Sequence, residues 1–169
     1  MAKNNKKSRY EKTYTSFAGT DIVAVITLPN GKPRVLGELQ TISYSSFRPT
    51  APVFALGQIG AKGVVRGART VAGSLIFTVF DRHVLYEIME DYNDSQSYFD
   101  INKSDEIPAF DITVNFMNEY GQSSQLTIYG VHLISEGQTM SVEDMITENT
   151  MEFVAMDIDT MVPDAIKEI

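Results

Sequence analysis

The chain has no cysteine, no tryptophan and only two histidines in 169 residues. Without cysteine there is no disulfide framework, no thiolate metal site and no cysteine nucleophile. His83 and His132 are far apart in sequence, and a third metal ligand would have to come from afar, so both read as structural. No serine lies in a nucleophile-elbow pattern. The glycine-rich run GQIGAKGVVRGAR lacks the Gly-Lys-Ser/Thr ending of a phosphate loop and follows a proline-broken segment where such a loop needs a strand. Asp157 and Asp159 are close in sequence, but a paired-acid hydrolase needs one of them in an apolar pocket, and nothing in the sequence supplies one. No catalytic residue, cofactor or metal is therefore expected. No apolar run approaches the roughly 20 residues that span a bilayer, so no membrane partner is expected. The N-terminus is basic and polar and does not read as a secretory signal.

What is present leans toward strands. Tyrosine, phenylalanine, valine, isoleucine and threonine are plentiful. A hydrophobic content of 43% is enough to bury a core, and the length fits one domain. The net charge of −8 is unevenly distributed. Residues 1–80 carry 11 Lys/Arg and 3 Asp/Glu, a net of +8, while residues 81–169 carry 3 and 19, a net of −16. This asymmetry has two readings. It can reflect a basic arm plus ordinary acidic loops. It can also give the two halves opposite potentials, so that identical copies meet head to tail in a ring or filament.

Residues 1–16 read as a flexible arm. Lys3, Lys6, Lys7, Arg9 and Lys12 are spaced among polar residues, with too few apolar groups to offset the entropy of ordering. The remainder, 17–169, reads as one β domain. Asp21–Leu28 is an apolar, β-branched run, Pro29–Lys32 has turn chemistry, and Val35–Phe47 continues as an alternating strand, so the two runs predict a hairpin. Thr70–Phe80 predicts a strand apolar on both faces, with Gly73 marking a bulge or a close backbone approach. Asp81–Tyr92 predicts a helix with Asp81 as N-cap and Val84, Leu85, Ile88 and Met89 facing the core. Residues 93–108 read as a loop. Ala109–Met117 and Ser124–Ile134 predict a meander hairpin about a turn at 118–121. Ser141–Met145 reads as one helical turn, with Ser141 and Asp144 as capping partners. Thr150–Ile158 is a last strand of imperfect alternation. The element order predicts an α+β fold, mainly β, built as an antiparallel two-sheet sandwich or barrel with one flanking helix.

Residues 48–69 stand apart. Two prolines and four glycines punctuate them, yet they retain Val53, Phe54, Leu56, Ile59, Val64 and Val65. A structureless stretch of that length is unusual in a compact domain, and its apolar side chains need cover. The loop either folds back on its own sheet or reaches a neighbouring subunit.

The run Phe47–Leu85 resembles a block found in phage virion proteins of the tail-tube type. The shared parts are the Arg-x-x-x-Pro-Val turn at Arg48–Val53, the Leu56-Gly57 step, the glycine-rich connector Gly60–Gly67 and the strand Arg69–Phe80 leading into a helix. The block covers under a quarter of the chain. The resemblance implies a structural subunit, not an enzyme. It implies a ring of six copies whose strands join in a continuous sheet around a channel, with rings stacked to hold a tape-measure protein and later pass DNA. It further implies contacts with sheath or baseplate components and a place in the virion tail, with assembly in the host bacterial cytoplasm. Arg48, Arg66 and Arg69 are then expected to pair with acidic groups of neighbouring copies, and Val53, Phe54, Leu56 and Ile59 to be buried between rings. The basic arm exceeds what a minimal tube subunit needs, which leaves open an initiator ring at the baseplate or an adaptor ring near the neck. A nucleic-acid-binding protein using the arm is the remote alternative, opposed by the acidic half.

Overall fold

The computed structural model describes residues 16–29, 32–79, 84–95, 103–118, 121–142 and 147–163. Eleven strands and one helix are found among them: β1 (Ile22–Thr27), β2 (Pro33–Val35), β3 (Leu39–Phe47), β4 (Thr50–Val53), β5 (Gly63–Arg66), β6 (Thr70–Thr78), α1 (Val84–Ser95), β7 (Phe110–Met117), β8 (Ser123–Thr139), β9 (Glu148–Ala155), β10 (Asp157–Ile158) and β11 (Val162–Pro163). Residues 1–15 of the expected arm, the Asp81 cap, His83, the turn residues 30–31 and 119–120, most of the helical turn near Ser141 and the C-terminal residues 164–169 lie outside the described residues.

Every pairing is antiparallel, and β8 organises them. Its first half pairs with β7, which continues the order β2-β1-β7, while β10 and β11 take its other side. Its second half pairs with β9 and leads the order β9-β6-β3. Two sheets therefore share one long strand, and their inner faces meet in one apolar cluster. Ile26, Ile112, Val114 and Ile128 come from the first sheet, and Val71, Leu75, Phe77, Met151 and Phe153 from the second. The two-sheet expectation holds. The barrel alternative does not, because the sheet path ends at β2 and β3 without closing.

β8 changes sheets at Gly130. The register against β7 slips between Phe110↔Val131 and Ile112↔Ile128, which marks a bulge. Gly130 takes φ 60°, a left-handed conformation that glycine adopts without steric cost. Its N–H, removed from the ladder, donates instead to Asp111 Oδ1 at 2.8 Å. The antiparallel partner bends at the matching place, where Met156 separates β9 from β10. Met151, Phe153 and Ala155 face the core, and the phase then slips before Ile158. The imperfect alternation of this segment is the bend itself.

The predicted hairpin of 21–47 is divided in the structure. β1 pairs with β2, whereas β3 leaves for the other sheet and pairs with β6. Leu36, which is buried, donates its N–H to Ala24 O, and the chain turns there, with Leu39 N–H bonding to Leu36 O. The turn also places Glu38 at the start of α1, where its Oε2 accepts the Val84 N–H at 3.2 Å. A carboxylate there complements the positive end of the helix. Leu85 and Ile88 are buried, and Val84, Met89 and Tyr92 pack partly against the core, as the helical spacing predicts. Gly73 is a close approach. A Cβ built on it would lie 2.1 Å from Ser43 O and 2.6 Å from the Phe153 ring.

Candidate assembly surface

Residues 48–69 are a hairpin, which corrects the expected loop. β4 and β5 pair from Thr50↔Arg66 to Val53↔Gly63, and their base is closed by the Gly67 N–H to Pro49 O bond at 2.8 Å. The physical reason is that backbone N–H and C=O groups need partners, and two short β-branched runs flanking a glycine-rich bend supply each other's. Pairing solves the backbone problem but leaves the side chains uncovered. Leu56 and Ile59 at the tip are fully exposed, at 105% and 104%, and Phe54 is exposed at 63%. Val53, Val64 and Val65 are exposed as well. The alternative of a segment folded back on its own sheet does not hold.

The three arginines singled out from the sequence come together at the hairpin base. Arg48, Arg66 and Arg69 line one cleft of about 510 Å³ with Tyr44, Asp159 and Thr160. Two of them are engaged within the chain. Arg48 Nε donates to Gly67 O at 2.8 Å, and Arg69 Nη1 pairs with Asp157 Oδ1 at 3.2 Å. Both members of that pair are about half exposed, so water screens it. The Arg66 side chain makes no hydrogen bond or ion pair with the described residues. Asp159 is also engaged: its Oδ2 accepts the Tyr129 hydroxyl at 2.8 Å. This hydrogen bond, with some burial and the carboxylate's charge, raises the Tyr129 pKa above its ordinary value. Asp157 and Asp159 thus serve as partners within the subunit.

The second sheet has an outer face that sequence reading did not single out. Across β3-β6-β9-β8 the outward rows are Ser43, Ser74, Glu152 and Ser135, then Ser45, Ala72, Val154 and His132. Ser43 and Ser74 share a hydroxyl hydrogen bond of 2.8 Å. Glu148 and Thr150 extend the face on β9. None of β3, β6, β9 or residues 132–139 of β8 contains a lysine or arginine. The face is therefore mostly small and hydroxylated, with Glu148 and Glu152 as its charged groups and Ile76 and Val154 as its larger apolar ones. A period-two search for polar positions in these strands finds it, but only the register shows that the rows align. Both edges of this sheet are unpaired among the described residues: β3 bonds only to β6, and β8 beyond Val131 bonds only to β9.

A groove of about 580 Å³ opens where the inner face of the second sheet runs past the first. Val79, Leu85, Tyr86, Met89, Ile134 and Met151 supply its apolar lining. Asp105 and Glu136 lie on its rim with Lys103. Glu136 accepts from Ser104 Oγ and from Asn149 Nδ2, which fixes its position, while the buried Asn149 Oδ1 lacks a partner among the described residues. No group of three or more potential metal ligands occurs among the described residues.

No protein-family model and no curated protein sequence matches the chain. Solved structures do. The tube-terminating cap of the anti-feeding prophage aligns with a TM-score of 0.62 at 14% identity, covering 89% of this chain and 93% of that one. The sheath-tube complex of the PVC extracellular contractile injection system, in its extended state, aligns at 0.61 and 13% identity, covering 93% and 97%. The SPP1 tail tube aligns at 0.55 and 12% identity, covering 88% and 80%. This is the tail-tube-type fold. Coverage is high on both sides, so the tail-tube-type core accounts for most of the chain. Identity is low because such a core needs only matching apolar periodicity, and many residue choices satisfy that.

Proposed function

We propose that this protein is a structural, non-enzymatic subunit of a phage-type tail tube that forms stacked rings around a channel. The observation that carries the reading is the β4–β5 hairpin, an apolar projection that the described residues leave bare on a tail-tube-type core. Exposed apolar surface of this kind marks a contact with another protein. The unpaired edges of the second sheet support ring formation. Strand direction alternates from β8 through β9 and β6 to β3, so β3 runs opposite to β8. Joining β3 of one copy to β8 of the next continues an antiparallel sheet without breaking the alternation. Six such copies are the number that the tail-tube resemblance implies.

In a closed ring the hydroxylated, acidic face lines the channel. Phosphate-neutralising cations are absent from those four strands, so DNA passes without being held. Arg66, and Arg48 and Arg69 once their internal contacts rearrange, meet acidic groups of neighbouring copies. Val53, Phe54, Leu56 and Ile59 are buried between rings. Residues 17–169 form the tube domain, and residues 1–16 are a basic arm available to further tail components such as tape measure, sheath or baseplate. The assembled protein resides in the virion tail, after assembly in the host cytoplasm.

A second reading is a single adaptor or initiator ring. It is favoured by the basic arm and by the similarity to a tube-terminating cap, at a TM-score of 0.62 beside 0.61 for a tube complex. Electron microscopy of the purified protein separates the two. Long tubes establish the stacking subunit, particles that stop at one ring establish the adaptor, and a strictly monomeric protein at high concentration removes both.

A further inference from the structure

The hairpin and the groove lie at opposite ends of the same sheet. β4–β5 leaves it where Phe47↔Thr70 and Val71↔Ala155 pair, and the groove opens at the other end, near Thr78↔Glu148 and Gln138↔Asn149. The nine residues of β6 that separate them span about 30 Å at roughly 3.3 Å per residue. The two surfaces are also complementary. Residues 48–69 contain four Lys/Arg and no Asp/Glu, three of them arginines at the hairpin base and the fourth, Lys62, beside the tip, whereas the groove carries Asp105 and Glu136 against one lysine. The tip is an exposed apolar knob, and the groove is an apolar recess with Tyr86 and Ile134 exposed at its mouth.

We propose that the hairpin tip of one copy seats in the α1–β8 groove of the next copy, so that Leu56 and Ile59 pack against Tyr86, Met89 and Ile134. The contact is heterologous and runs along the strand direction. It does not close on itself, and it propagates as a polar stack. The acidic rim meeting the cationic hairpin fixes which end docks, because the reverse pairings bring like surfaces together. This inference rests on the assembly reading above and adds the receptor surface and the polarity.

The absence of cysteine makes the test direct. An Ile59→Cys chain is mixed with an Ile134→Cys chain and treated with a short bismaleimide, and the products are mapped by peptide mass spectrometry. A Val35→Cys chain probes the competing apolar recess beside β1, β2 and β3. A dominant link between positions 59 and 134 supports the proposal. Assemblies that form without that link, or that link position 59 to position 35, overturn it and leave the assembly reading intact. A protein that stays monomeric overturns both. A second chain with Leu56→Asp and Ile59→Asp is expected to keep the parent unfolding transition and to lose stacking. Stacks that persist in this variant count against the tip as the docking element.

Discussion

Asp111 holds the bend of the longest strand by accepting the Gly130 N–H at 2.8 Å. The bulge that lets β8 serve two sheets removes this N–H from the ladder, and the carboxylate replaces the missing carbonyl. Asp111→Ala is expected to cost about 1–3 kcal/mol, the penalty of a stranded donor. Gly130→Ala is expected to cost at least about 1–2 kcal/mol for the left-handed backbone, and more because its Cβ would meet Met156 Cγ and Sδ at 2.9 Å. Urea unfolding of both variants checks this. An unchanged midpoint for Asp111→Ala means that water serves the N–H equally well.

Gly73 gives a sharper steric test. Its Cβ would collide with backbone, Ser43 O, so no rotamer change relieves it. Gly73→Ala is expected to destabilise by about 1–3 kcal/mol, as overpacked sites do. Retained stability would show that β3 can move away from β6.

Phe153 and Leu56 are both large and apolar, yet one is fully buried and the other fully exposed. Phe153→Ala is expected to cost about 3–5 kcal/mol, and Leu56→Ala to stay within about 0.5 kcal/mol, both measured on dissociated subunits. The order reverses in an assembly assay, where Leu56 is the sensitive position. If Leu56→Ala destabilises the isolated subunit strongly, the hairpin has cover within its own chain.

Arg66 separates assembly from folding. Arg66→Glu is expected to leave the unfolding transition unchanged and to abolish high-mass particles in sedimentation. Arg69→Ala removes an exposed pair worth about 0–1 kcal/mol, and its stability change is expected to be correspondingly small. Assembly by Arg66→Glu at parental level sets aside the role proposed for that residue.

The Tyr129 phenol should titrate above its ordinary range, because its hydroxyl donates a hydrogen bond to the Asp159 carboxylate, whose charge disfavours phenolate beside it. A raised folded-state pKa means that this contact stabilises fully below the ordinary phenol pKa and is lost as pH rises through the raised value. Asp159→Asn is expected to lower the Tyr129 pKa, which NMR of the ring resonances reads. An unmoved titration would assign the shift to its remaining causes, partial desolvation and the Asp111 charge.

Local chemistry was legible in the sequence wherever periodicity carried it. The helix face of Leu85 and Ile88, the inward row of Phe110, Ile112 and Val114, and the tight place at Gly73 all follow from residue type and spacing, because burial selects them residue by residue. Uncovered apolar groups in residues 48–69 were also visible in the sequence, since no nearby pattern offered to bury them. Only the tertiary structure decided that this segment is a hairpin, that β3 abandons β1 for β6, and that β8 runs on through the polar stretch to Thr139. Those outcomes depend on hydrogen-bond partners distant in sequence, and periodicity within a strand does not name its neighbour. The opposed placement of hairpin and groove belongs to the same class: it follows from the registers of four paired strands, which no single stretch of sequence contains.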